Sequence, residues 1–122
     1  MLPKSPNCVL AYGDVNSTMS AAIAASKLRI PFAHVEGGIR AADRYNPEEI
    51  NRRVSDVLAD VIFCCTMTDV ANLKKEGYER DRIEFSGDLM NDALLVTLKK
   101  YHIEPFRGGL SRPHLASSGE SD

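Results

Sequence analysis

Short apolar runs alternate along this chain with longer stretches in which apolar residues recur at helical spacing. Residues 7–13 (NCVLAYG) read as a buried strand. Residues 16–28 read as a helix, with Asn16 or Ser17 as its cap and Ala21, Ala22, Ala24 and Ala25 permitting close approach to a sheet. Pro31 punctuates before a second strand at 32–35, and a glycine-rich loop follows from Gly37. The next helix carries the fullest set of signals: Asn46 as cap, Pro47 at the first helical position, and Glu49 three residues after the cap in a capping-box-like pattern. Ile50, Val54, Val57, Leu58 and Val61 then recur as one apolar stripe. Residues 61–66 (VIFCCT) form a third strand, 68–76 a short helix ended by Gly77, and 83–86 a fourth strand. A last helix spans 91–101, with Leu94, Leu95, Leu98 and Tyr101 on one side. Past Tyr101 the periodicity dissolves into Pro105, Gly108, Gly109, Pro113 and Ser117-Ser118-Gly119, the composition of an irregular tail.

Strand and helix alternating four times predict an α/β fold, a parallel sheet flanked by helices. One domain is expected over residues 1–104 and an irregular tail over 105–122. Ligands of such sheets bind outside the carboxyl ends of the strands, so the chemistry is sought there. Composition narrows the partners. At 122 residues, 43% hydrophobic, 26% charged and net charge −2, the chain has the make-up of a globular domain. It lacks the clustered Lys and Arg that nucleic acid or a polybasic membrane contact requires. No run approaches a membrane span, and the apolar stretch at 8–12 is too short for an export core. Cys8, Cys64 and Cys65 are odd in number and have no metal-ligand spacing; with two of them adjacent in an apolar run, they read as buried free thiols in a reducing compartment, the cytoplasm.

Three acids fall at the edge where ligands bind. Asp14 ends the first strand, Glu36 ends the second, and Glu48 stands in the first turn of the helix closing the next loop. Each has a plain alternative: a turn or cap for Asp14, and a solvated first-turn acid favoured by the helix dipole for Glu48. Glu36, before Gly37-Gly38, has no evident folding role. The same edge offers the free amides of the helix starting near Asn16, and Arg40 and Arg44 between Glu36 and Glu48. Carboxylates beside anion-binding groups suit acid–base chemistry on a phosphorylated substrate.

The strings GDVNST (13–18), HVEGGIR (34–40), DRYNPEEINRRVSDVLADVIF (43–63) and RIEFSGDLMNDALL (82–95) together resemble the non-hydrolysing UDP-N-acetylglucosamine 2-epimerases. The resemblance runs in order over residues 7 to about 98. It implies a Rossmann-like parallel sheet belonging to one half of a two-domain glycosyltransferase-B fold, with substrate in the cleft between halves. The implied activity interconverts UDP-N-acetylglucosamine and UDP-N-acetylmannosamine, by elimination of UDP to a 2-acetamidoglucal and its re-addition. Such enzymes serve cell-surface polysaccharide synthesis. Matched by motif, Asp14, Glu36 and Glu48 are the catalytic acids, and His34, Arg40 and Arg44 are expected to bind substrate, although a lone strand histidine such as His34 is more often a packed or hydrogen-bonded residue. The resemblance implies no cofactor and no metal, a UDP-sugar as partner, and a homodimer for the full-length enzyme.

Val15 replaces the family's usual Thr and Gly37 its usual Ala, both read as mild changes; Asp88 stands where Asn is common. The family's first strands should precede residue 1, and its second domain should follow residue 104. The chain therefore reads as a fragment, inactive by itself. Two other readings compete: a non-catalytic domain that pairs with a missing partner, and the hydrolysing branch that releases UDP and N-acetylmannosamine. The string PEEINR (47–52) favours the non-hydrolysing branch.

Overall fold

The computed structural model describes residues 4–102. The chain divides into two units between Met90 and Asn91. The first holds β1 (Val9–Tyr12), α1 (Asn16–Leu28), β2 (Phe32–Val35), α2 (Pro47–Leu58), β3 (Val61–Cys64), α3 (Met67–Lys75), a 3-10 turn (Arg80–Arg82) and β4 (Ile83–Phe85). The strands lie in the order β1-β2-β3-β4, all parallel, as the alternation predicts. Val9 pairs with Phe32, Ala33 with Val61, and Ile62 with Ile83, so each strand ends near the same edge.

A sheet built in sequence order by right-handed crossovers puts its connecting helices on one face. The core lies there: Ala22 and Ala25 of α1, Phe32, Ile62, Cys64 and Ile83 of the strands, and Val70 and Leu73 of α3. The alanines let α1 approach closely, as their small size implies. On the alternate strand positions, Leu10 and Tyr12 are exposed.

Helix boundaries follow local chemistry, with some differences from expectation. The N-cap of α1 is Val15, with no side-chain cap bond, instead of Asn16 or Ser17. Thr66 and Asp69 form a reciprocal capping box that starts α3 at Met67. Gly77 follows α3 with φ +88°, the left-handed turn its position predicts. The fourth helix, α4 (Leu89–Lys100), runs across the boundary between the units and buries none of its residues. The expected tail over 105–122 lies outside the described residues.

The largest difference concerns α2. Asn46 does cap it, but Oδ1 accepts from the Glu48 N–H at 2.9 Å, while Asn46 N–H donates to Asp43 O. Glu49 takes no part in a capping box; its side chain is buried. The buried positions of α2 are Glu49, Asn51, Ser55 and Asp56, whereas Ile50 and Val57 of the expected apolar stripe are exposed. At 100° per residue these sets fall on opposite arcs. Leu58, at the end of the expected stripe, packs against the core, but the rest of the helix is turned polar side inward.

Candidate active site at the carboxyl edge of the sheet

Two left-handed turns lie side by side at the ends of β1 and β2. Gly13 has φ +72°, which costs a glycine little. Glu36 has φ +68°, which a residue with a Cβ adopts only under strain of about 1 kcal/mol or more. A Cβ on Gly13 would stand 3.5 Å from Glu36 Oε2, so the Glu36 carboxylate closes over the Gly13–Asp14 turn. The turn is tied from below: buried Thr18 donates from Oγ1 to Tyr12 O at 2.7 Å, and Gly13 N–H donates to Val35 O at 3.0 Å.

The polar face of α2 holds Asp14. Asn51 Nδ2 donates to Asp14 O at 2.8 Å and to Asn16 Oδ1 at 3.0 Å. Arg52 Nη2 is ion-paired to Asp14 Oδ2, while Nη1 donates to Glu49 Oε2 at 3.1 Å. Glu49 in turn accepts from Ala41 N–H at 3.0 Å and Arg53 Nε at 2.9 Å. Among the described residues, Arg52 Nε is buried without a partner. Asp14 and Glu48 both line a cleft of about 360 Å³, with Val15, Asn16, Pro47 and Asn51. Glu48 itself is exposed.

Behind this edge sits a second polar cluster. His34 is fully buried; Nδ1 lies 2.6 Å from Asp56 Oδ1 and Nε2 lies 2.8 Å from Gly13 O. Asp56 Oδ2 accepts from Gly38 N–H at 3.1 Å and Arg40 Nη1 at 2.8 Å. Arg40 also makes a two-pronged pair with Glu76, Nε–Oε1 at 2.7 Å and Nη2–Oε2 at 2.8 Å. Burial works against the Arg40 charge, but the hydrogen bonds to Glu76 and Asp56 outweigh it and raise the guanidinium above the usual range. The same Arg40 bond holds the Glu76 carboxyl below its usual range.

Of the residues expected to touch substrate, His34 has both ring nitrogens engaged and no exposed surface, and Arg40 is 10% exposed and paired to two carboxylates. Both hold the scaffold in this arrangement. Arg44 is exposed, with its guanidinium carbon 5.9 Å from the centre of the Tyr45 ring.

Sequence reasoning missed Asn51, Arg52 and Asp56. Their signal was present: Glu49, Arg52 and Arg53 stand at i, i+3 and i+4, and Asp56 falls on the same arc. Gly37 was also underestimated. A Cβ there would stand 2.3 Å from Ile62 Cγ2 and 2.5 Å from Asp56 Oδ1, so the exchange with Ala is not mild in this chain. Gly38, at φ +83°, would put a Cβ 2.7 Å from Asp69 O.

Cys64 and Cys65 lie at the end of β3. Burial, then the charges of Asp69 and Asp56, push the Cys64 thiol up to about 12. Burial and the nearby Glu36 and Asp88 charges raise Cys65 as well. Among the described residues no His, Cys, Asp and Glu group is arranged to hold a metal, and no helix is long and apolar enough to cross a membrane.

The family model described as UDP-N-acetylglucosamine 2-epimerase matches residues 2–115. A UDP-2,3-diacetamido-2,3-dideoxy-D-glucuronate 2-epimerase of Pseudomonas aeruginosa is 47% identical over 97 residues, 78% of this chain and 27% of that protein. The UDP-GlcNAc 2-epimerase of Methanocaldococcus jannaschii, solved in complex with UDP-GlcNAc and UDP, superposes with TM-score 0.76 at 40% identity. That match covers 81% of this chain and 27% of the other. The Neisseria meningitidis enzyme bound to UDP-GlcNAc gives TM-score 0.75 at 39% identity, over 80% of this chain and 27% of that one. The chain thus spans a little over a quarter of the length of these relatives.

Proposed function

The chain belongs to the UDP-N-acetylglucosamine 2-epimerase family, and from that premise we propose that Asp14, Glu36 and Glu48 act on carbon 2 of a UDP-linked 2-acetamido sugar. The observation that carries the reading is the Glu36 carboxylate, on a strained backbone, held over the turn that presents Asp14, with Glu48 across the adjoining cleft. In the proposed reaction the bond from carbon 1 to the diphosphate oxygen breaks and UDP departs as the anion. Positive charge developing on the ring makes the carbon 2 proton acidic enough for a carboxylate to take, which leaves the 2-acetamidoglucal. UDP then adds back at carbon 1 while a second acid delivers a proton to the opposite face of carbon 2. Two proton-transfer groups on two faces account for more than one carboxylate.

Arg52 supports this division of labour. It is ion-paired to Asp14 and so holds that carboxylate in place, while Glu48 is exposed to solvent. Arg44 is the cation of the loop left for the diphosphate, since Arg40 is committed to Asp56 and Glu76. The three free thiols fit a reducing cytoplasm. We extend the reading to a homodimer for the complete enzyme.

The test is exchange at carbon 2 of UDP-N-acetylglucosamine in heavy water, followed by nuclear magnetic resonance, with a UDP-2,3-diacetamido sugar as second substrate. The 122-residue chain alone is expected to show no exchange, because Glu48 is open to solvent and water screens the charges of the cleft. In a complete enzyme carrying this segment, exchange is expected, and Glu36→Gln should lower it by about a hundredfold or more. An unchanged rate in that variant would remove Glu36 from the mechanism. Release of free N-acetylmannosamine in place of UDP-N-acetylmannosamine would assign the hydrolysing branch.

A further inference from the structure

Both ring nitrogens of His34 face atoms that can only accept. Nε2 lies 2.8 Å from the carbonyl oxygen of Gly13, which has no proton to give. Nδ1 lies 2.6 Å from Asp56 Oδ1. The other oxygen of Asp56 receives the Gly38 N–H at 3.1 Å and the Arg40 guanidinium at 2.8 Å. An acid surrounded by donors accepts on both oxygens, as a carboxylate does. A neutral imidazole has one N–H and could satisfy only one of its two neighbours, leaving two lone pairs facing each other in a site without solvent. His34 is 0% exposed, and Phe32 lies stacked beside it with ring centroids 6.4 Å apart.

We infer that His34 is a doubly protonated positioning residue, an imidazolium that bolts the Gly13 carbonyl to the Asp56 carboxylate and so fixes the adjacent turns presenting Asp14 and Glu36. The inference rests on the proposed role of those two acids only for its consequence; the protonation and the bolt stand on geometry. The ring adds a buried bridge, deeper than the Asn51 and Arg52 contacts to Asp14, between two parts of the chain. Gly13 belongs to the β1–α1 turn, whereas Asp56 lies on α2 and also holds Gly38 and Arg40 in the β2–α2 loop. Glu36 sits between, its strained backbone two residues after His34 and immediately before the tightly seated Gly37. Two charge-assisted hydrogen bonds on one rigid ring give the pair of turns a fixed spacing, which a loop of glycines would not have.

The 122-residue chain itself provides the test, without substrate. It contains three histidines, so nitrogen-15 labelling of histidine gives a sparse spectrum. The His34 ring should show two N–H groups at neutral pH, with a through-hydrogen-bond coupling from Nε2–H to the Gly13 carbonyl. A single proton on the ring overturns the inference outright. Asp56→Asn should leave the Gly13 bond and remove the proton from Nδ1; two protons remaining there also overturn it. His34→Gln separates positioning from general stability. The amides of Gly13 and Gly37, bonded to Val35 O at 3.0 Å and Phe63 O at 3.1 Å, should exchange with solvent about tenfold faster or more, the loss of a charge-assisted hydrogen bond. The Ser86 amide, bonded to Cys64 O at 3.0 Å in the same sheet edge, should be unchanged. Equal acceleration of all three, or of none, refutes the positioning role. These outcomes do not depend on carbon 2 exchange, so failure of the bolt and failure of the epimerase reading are told apart.

Discussion

Single residues at this site are fixed by partners more than by their own type. Glu76 is the clearest case for a pH effect. Its carboxyl is held below the ordinary value of 4.5 by the Arg40 hydrogen bond, so the folded chain binds that proton more weakly than the unfolded chain does. The stabilisation is therefore complete above about 4.5 and drains away as pH falls from there through the depressed folded value. Glu76→Gln is expected to cost about 1–3 kcal/mol at neutral pH and to flatten the acid side of the stability profile, measured by urea unfolding at several pH values. The cysteines differ for the same reason. Cys8 is exposed, whereas Cys64 is buried with its thiol pushed up to about 12. A maleimide at neutral pH should label Cys8 first and Cys65 slowly, and should reach Cys64 only when the chain unfolds. Labelling of folded Cys64 at the Cys8 rate would contradict the buried β3.

At the scale of elements, α2 decides what was legible. Its existence, its Asn46 cap and its Pro47 start are written in local residues, as are the 16–28 helix and the 32–35 strand, both observed at those bounds, and the other three strands, each observed shorter than expected. The direction in which α2 faces is not. Ile50, Val54 and Val57 form a sound apolar stripe, and a buried polar arc is favourable only when partners satisfy it; those partners lie on β2, in the loop after it and at Asp14. No periodicity within α2 contains that information. Val57, 62% exposed, should accept Lys within about 0.5 kcal/mol, whereas Asp56→Ala, which strands Arg40 and His34, should cost about 3–5 kcal/mol. If Val57→Lys is the more damaging of the two, α2 faces the other way. Gly37 offers a paired test. Gly37→Ala should cost about 1–3 kcal/mol through the 2.3 Å approach to Ile62 Cγ2. Moving the branch outward with Ile62→Leu removes that methyl from the contact. The double variant should therefore be more stable than the sum of the singles, and strict additivity would show that Asp56 Oδ1, at 2.5 Å, sets the limit instead.

On the scale of the whole molecule, the sheet edge carrying Asp14 and Glu36 was legible because strand ends and short motifs are local signals. The roles of Arg52 and Asp56 were not, since each joins segments distant in sequence. The first unit consequently has two unlike halves: an apolar side where Val70 and Leu73 of α3 meet β3 and β4, and a charged side where α2 meets β2. They should answer temperature differently. Burying methyl and methylene groups carries a large heat-capacity change, while burying carboxylates, amides and guanidinium groups carries a small one of opposite sign. Cooling weakens the first kind of contact and leaves the second almost untouched, whereas heating lowers the hydration penalty that opposes ion pairs. Near freezing, the α3 side is the one that loosens, and the edge bearing the three acids keeps its shape.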